Sequence, residues 1–80
     1  MARLLLFGPA REAAGTPSAS VPGHDVAAVM AGARAQFGEP FSGILEQSRV
    51  WVNGDEVDPS TPVGDDDEVA VIPPVSGGSA

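Results

Sequence analysis

Residues 64–80 read GDDDEVAVIPPVSGGSA, and this closing stretch decides the fold. An acidic turn (Asp65, Asp66, Asp67) runs into a strand from Glu68 to Ile72, and Pro73-Pro74 halts it, because proline cannot donate to a sheet ladder. Small residues follow, Val75 and Ser76, and then Gly77-Gly78. The proline pair presents an extended segment at low entropy cost. Two residues without a Cβ let a backbone carboxylate pass down a channel too narrow for side chains. Terminal glycine and serine by themselves commonly fray. The glycine pair gains meaning from its place directly after the last strand of the architecture that the rest of the chain describes.

Upstream, residues 49–57 (RVWVNGDEV) place two β-rich runs around Asn53-Gly54, the pair that tolerates positive φ at both centres of a tight hairpin turn. Residues 58–64 form a turn-rich link whose Val63 faces the core. Residues 41–48 (FSGILEQS) carry no assignable pattern, although Ile44 and Leu45 should be buried. Asp25 stands as an N-cap ahead of VAAVMAGARAQF, where Val26, Val29, Met30, Ala33 and Phe37 share one helical face suited to packing on a sheet. Gly32 weakens that helix by about 1 kcal/mol relative to alanine, and Gly38 with Pro40 ends it. Residues 3–7 (RLLLF) form a strand closed by Gly8-Pro9. One helical turn fits residues 10–14, and residues 18–21 form a second strand ending at Pro22-Gly23. The order is strand, strand, helix, strand, strand, strand: an α+β mixed sheet with one main helix across a face. The domain spans residues 1–75, with a flexible tail over residues 76–80.

Eighty residues make one small domain, and slightly positive mean hydropathy argues for a folded core over disorder. The net charge of −7 is carried by eleven acids against four arginines (Arg3, Arg11, Arg34, Arg49), with no lysine. That balance argues against phosphate-neutralising nucleic-acid binding and suits a basic groove on a protein partner. The absence of cysteine removes disulfides, thiolate metal sites and cysteine nucleophiles. The N-terminal apolar run is too short for a signal-peptide core or a membrane span, so a cytoplasmic protein with no membrane association is expected.

Catalysis needs acids, bases, nucleophiles or metal ligands in combination. His24 is the sole histidine and reads as a solvated residue of the helix cap. Residues 65–68 lack the alternating spacing and distal Glu of a calcium loop, so no metal site is expected. Trp51 reads as a sheet side chain, and the serines have no histidine–acid relay. The chain is not equipped to be an enzyme by itself.

The strand order with a diglycine tail is that of the β-grasp, ubiquitin-like plan. Residues 4–16 (LLLFGPAREAAGT), together with VNGDEV, GDDDEVAVIPPV and SGG, resemble the MoaD-like small subunits of molybdopterin synthase over residues 3–78. ThiS-like carriers of the thiamine pathway share the tail but usually lack the FGPARE and PPV segments. The resemblance implies a sulfur carrier that binds no cofactor. A MoeB-like, ubiquitin-activating-type adenylyltransferase would use ATP to adenylate the carboxylate of Gly78, and sulfur would then displace AMP to leave a thiocarboxylate. Val75, Ser76 and Gly77 would accompany Gly78 into a MoaE-like large subunit. Phe7, Val71 and Pro74 are the candidate contacts on the partner-facing surface. Delivery of sulfur to thiamine or cysteine synthesis, conjugation to proteins, or a non-covalent β-grasp binding role stand as alternatives.

Two departures from the family pattern stand out. Asp66 occupies the position of a turn glycine. Ser79 and Ala80 follow Gly78 and block its carboxylate, so activation calls for a processing protease, unless the two residues are a cloning remnant or mark a member that has lost sulfur transfer.

Overall fold

The computed structural model describes residues 1–73. Strands β1 (Ala2–Leu6), β2 (Ser18–Val21), β3 (Arg49–Val52), β4 (Asp55–Glu56) and β5 (Glu68–Ile72) form one sheet in the order β2-β1-β5-β3-β4. Helices α1 (Gly8–Ala14), α2 (Val26–Phe37) and α3 (Phe41–Glu46) join them. The last strand is the central one. β5 runs parallel to β1, with Leu6 opposite Val71, and antiparallel to β3, with Val52 opposite Val69. This is the mixed β-grasp sheet that the sequence implied.

Side chains alternate across a strand, and the period sorts the two faces cleanly. Leu4, Leu6, Val21, Val52, Val69 and Val71 point inward, where Ala10 of α1, four residues of α2 (Val26, Val29, Met30, Ala33) and Phe41 and Leu45 of α3 cover them. Each large apolar side chain so buried contributes about 1.5–3 kcal/mol. All three helices therefore share one face, and the other face of the sheet is left uncovered within the described residues.

Local chemistry explains the joints. The Asp25 carboxylate accepts from the Ala28 N–H at 2.8 Å and caps α2. Asn53 (φ 52°) and Gly54 (φ 92°) adopt the left-handed geometry expected of the hairpin. Asp66 does not, since Asn53 is the one non-glycine residue with positive φ among the described residues, so no glycine is required in the acidic turn. Gly32 has a use that propensity alone hides. A Cβ there would lie 2.7 Å from Val21 Cγ1, so the missing side chain lets α2 settle onto β2.

Two segments differ from expectation. Gly8-Pro9 ends β1 but also begins α1, because proline in a first turn lacks only an N–H that would be unpaired anyway; the helix spans Gly8–Ala14, not a single turn. The unassigned segment contains α3, with Leu45 buried and Ile44 half-buried. Six residues are too few to show a helical period or to be stable alone. Packing holds α3, including Phe41 against Phe37 at 5.0 Å between ring centroids.

Candidate functional site

The sheet topology places the C-terminal exit at the centre of one sheet end. β5 finishes at Ile72 beside the end of β1 and the start of β3, where Arg49 lies opposite Ile72. Pro73 is buried in a groove of ≈ 420 Å³ whose walls include Pro9, Pro40, Gly43, Ile44 and Gln47. The ring of Pro73 thus has a fixed seat between the start of α1 and α3.

Of the expected site residues, Phe7 is 47% exposed, just beyond β1 at the N-cap of α1. Val71 corrects the expectation of a partner contact. It is fully buried, because alternation along β5 turns Val69 and Val71 into the core and Ala70 and Ile72 outward. Ile72, 37% exposed, is the apolar residue that this part of the strand offers to a partner. Pro74, Val75, Ser76, Gly77, Gly78, Ser79 and Ala80 lie outside the described residues.

The uncovered sheet face carries a row that sequence reading did not assemble. Leu5, Ala70 and Trp51 stand in register across β1, β5 and β3, all half-buried. Trp51 Nε1 is buried without a hydrogen-bond partner among the described residues. Exposed ion pairs border the row, Arg3–Glu68 at 4.0 Å and Arg49–Glu56 at 2.6 Å. With Ile72 and Phe7 at the tail end, the face is an apolar strip edged by charge, suited to a protein partner. Strand alternation held this signal, but only the register shows that the three residues are neighbours.

The opposite end of β5 is polar. Asn53 Nδ2 donates to Asp67 at 2.9 Å, and Asn53 Oδ1 accepts from the Glu68 N–H at 3.0 Å. The other carboxylate oxygen of Asp67 accepts from the Gly64 N–H at 2.8 Å. These bonds, first that from Gly64 and then that from Asn53, hold the Asp67 carboxyl below its ordinary value. The Met1 amine does the same for Asp65. The acidic turn is thus committed to the fold's own hydrogen bonds. Among the described residues no three of His, Cys, Asp and Glu gather as metal ligands, and no helix is long and apolar enough to cross a membrane.

The sequence pattern of the ThiS family matches residues 4–78. The solution structure of small archaeal modifier protein 1 from Methanosarcina acetivorans is 28% identical with a TM-score of 0.85, covering 96% of this chain and 95% of that one. CysO of Mycobacterium tuberculosis is 21% identical with a TM-score of 0.80, over 94% of this chain and 100% of that one. In the Helicobacter pylori complex of subunits 1 and 2 of molybdopterin-converting factor, the matching chain is 23% identical with a TM-score of 0.66, over 92% of this chain and 93% of that one. At those lower identities the last two likenesses speak for the fold alone. No curated protein matches the sequence significantly.

Proposed function

The chain belongs to the ThiS family, the ThiS/MoaD-like ubiquitin-like sulfur carriers, and from that premise we propose that it carries sulfur on Gly78 for molybdopterin synthesis. The observation that carries this reading is the family match running through the diglycine, directly after a central strand whose exit is seated at Pro73. A carboxylate is a poor electrophile until it becomes a mixed anhydride. The Gly78 carboxylate would attack the α-phosphorus of ATP on a MoeB-like adenylyltransferase and expel pyrophosphate. The terminal sulfur of a donor persulfide would then displace AMP to give an acyl disulfide. A thiol would cleave its S–S bond, forming a disulfide with the donor sulfur and leaving the thiocarboxylate on Gly78. The slender tail would deliver that group into a MoaE-like large subunit, whose surface would meet Phe7, Ile72 and the Leu5–Ala70–Trp51 strip. Nothing in this sequence of steps requires a cofactor on the carrier.

Ser79 and Ala80 follow Gly78 in the sequence, so a protease must cut after Gly78 before adenylation. The carrier works in the cytoplasm, where its partner finds ATP. The likeness to a small archaeal modifier protein, at 28% identity, favours a second reading in which the activated glycine is conjugated to lysines of other proteins. Cysteine synthesis stands as a further acceptor route.

The test is reconstitution. The chain ending at Gly78 is incubated with ATP, a MoeB-like enzyme, a sulfur donor, a MoaE-like subunit and the cyclic pterin precursor. Dithiolene formation that stops when Gly77 and Gly78 are deleted is the expected result. Thiocarboxylate formation without dithiolene would move the acceptor to cysteine synthesis or protein conjugation.

A further inference from the structure

We propose that the end of the body around the tail root is a collar free of amines and thiols, which reserves the activated glycine for acceptors on other molecules. This rests on the carrier reading above, since it matters only if Gly78 is activated. Amines and thiols are the side chains that attack acyl groups near neutral pH without a dedicated base. The sequence holds no lysine and no cysteine. The surface nearest the exit is chemically quiet as well: Pro9, Pro40, Gly43, Ile44 and Gln47 surround Pro73. Arg49 lies opposite Ile72, and a guanidinium, whose charge is delocalised over the planar group, is not an amine nucleophile.

Three hydroxyls near this end are engaged. Ser42 Oγ donates to the Gly38 carbonyl at 3.0 Å, Ser48 Oγ to the Ile44 carbonyl at 2.7 Å, and Thr16 Oγ1 to the Ser18 carbonyl at 2.9 Å. A serine needs a base to become a nucleophile, and the sole imidazole is far away. His24 lies at the opposite sheet end, where its carbonyl accepts from the Val63 N–H. The Met1 amine is also at that end, held by Asp65. The five residues of β5 separate the two ends by roughly 16 Å, and residues 74–78 span at most about 17 Å when fully extended. Reaching the far end would therefore take nearly that whole length laid straight back along the sheet. Ser76 could reach the Gly78 carbonyl only through a medium ring containing two trans amides, which planar peptide bonds oppose. Glu39, also on the groove, could at most form an anhydride, which water reverses.

The consequence is specific. A carrier with a lysine in the collar would lose its acyl group to itself: the ε-amine would form an amide with the Gly78 carbonyl, the bond to the leaving group would break, and the amine proton would pass to water. The test supplies the activation chemically and so does not depend on an activating enzyme. Every strand and helix of the described residues lies within residues 2–72, so the chain ending at Gly78 keeps them all. It is prepared as a C-terminal alkyl thioester in three forms: unsubstituted, Gln47→Lys on the collar, and Asp66→Lys at the far end. Gln47 and Asp66 are both exposed, and Glu39→Lys on the same groove repeats the collar arm if Gln47→Lys fails to fold.

Intact mass over time reads the result. The unsubstituted chain should only hydrolyse slowly. The collar lysine should close an internal amide, seen as loss of the thiol without gain of water, about tenfold faster than the far-end lysine, as a tethered group at millimolar effective concentration would. Equal rates for the two lysines, or self-acylation of the unsubstituted chain, would overturn the proposal. A chain that passes this test yet never bears a thiocarboxylate in its host would instead sink the carrier reading.

Discussion

The two ends of β5 are built on opposite principles. At the entry end, Asn53, Asp67, Gly64 and Glu68 are tied by three side-chain hydrogen bonds, and the Asn53 N–H adds a backbone bond to the Glu68 carbonyl at 3.0 Å. At the exit end, Pro73 sits among prolines and Ile44, and Ile72 and Phe7 are exposed. The entry end fixes the register on which every inward side chain depends, since a slip of one residue would turn Val69 and Val71 out of the core. The exit end leaves apolar surface where the proposed partner would dock. In the proposed reading, one strand carries stability at its start and function at its finish.

The contrast breaks most completely at the glycines. Deleting Gly77 and Gly78 should abolish thiocarboxylate formation, because no reactive carboxylate reaches the nucleotide, while the thermal midpoint stays unchanged. A clear drop in that midpoint would show that the tail also supports the fold. Next come the two faces of β5 near its exit. Val71→Asp buries an unpaired charge and should cost on the order of 4 kcal/mol or more in urea unfolding. Ile72→Asp, one residue further on, should change stability by no more than about 0.5 kcal/mol and weaken large-subunit binding at least about tenfold in calorimetry. If Ile72→Asp bound normally, the partner surface would lie elsewhere.

Much of this was legible beforehand. The last strand, the Asn-Gly hairpin and the Asp25 cap each have a local cause, so residues read in isolation predict them. The exposure of Phe7 and the burial of Val71 were not separable from sequence, because both are apolar residues close to strand ends. Only the register with β1 and β3 assigns Val71 its face. Helix α3 was hidden by its brevity, and Gly32 looked like a defect because its use is a contact with Val21, eleven positions away. Asn53 was recognised for its backbone geometry alone. Its side-chain bonds to residues fourteen and fifteen positions on are set by topology that no local pattern records.

Smaller changes sharpen the entry end. Asn53→Ala removes two side-chain hydrogen bonds and a residue suited to positive φ, and should cost about 1–3 kcal/mol in chemical denaturation. The same substitution should leave large-subunit affinity within about twofold. The smallest effect is in pH. The Asp67 carboxyl is held below its ordinary value of 3.8, so its contribution is complete above that pH and is lost as pH falls through the depressed folded-state value. Thermal midpoints measured from pH 5 down to pH 2.5 should fall below pH 3.8, and Asp67→Asn should flatten part of that fall.

The central claim is that a processed Gly78 carries sulfur, and the intact mass of the protein isolated from its native host tests it most directly. A chain ending at Gly78, with a fraction heavier by the exchange of one oxygen for sulfur, is the predicted result. A chain still ending at Ala80, even after incubation with ATP, an activating enzyme, a sulfur source and host extract, would contradict the account and leave a β-grasp domain that binds partners without using its tail.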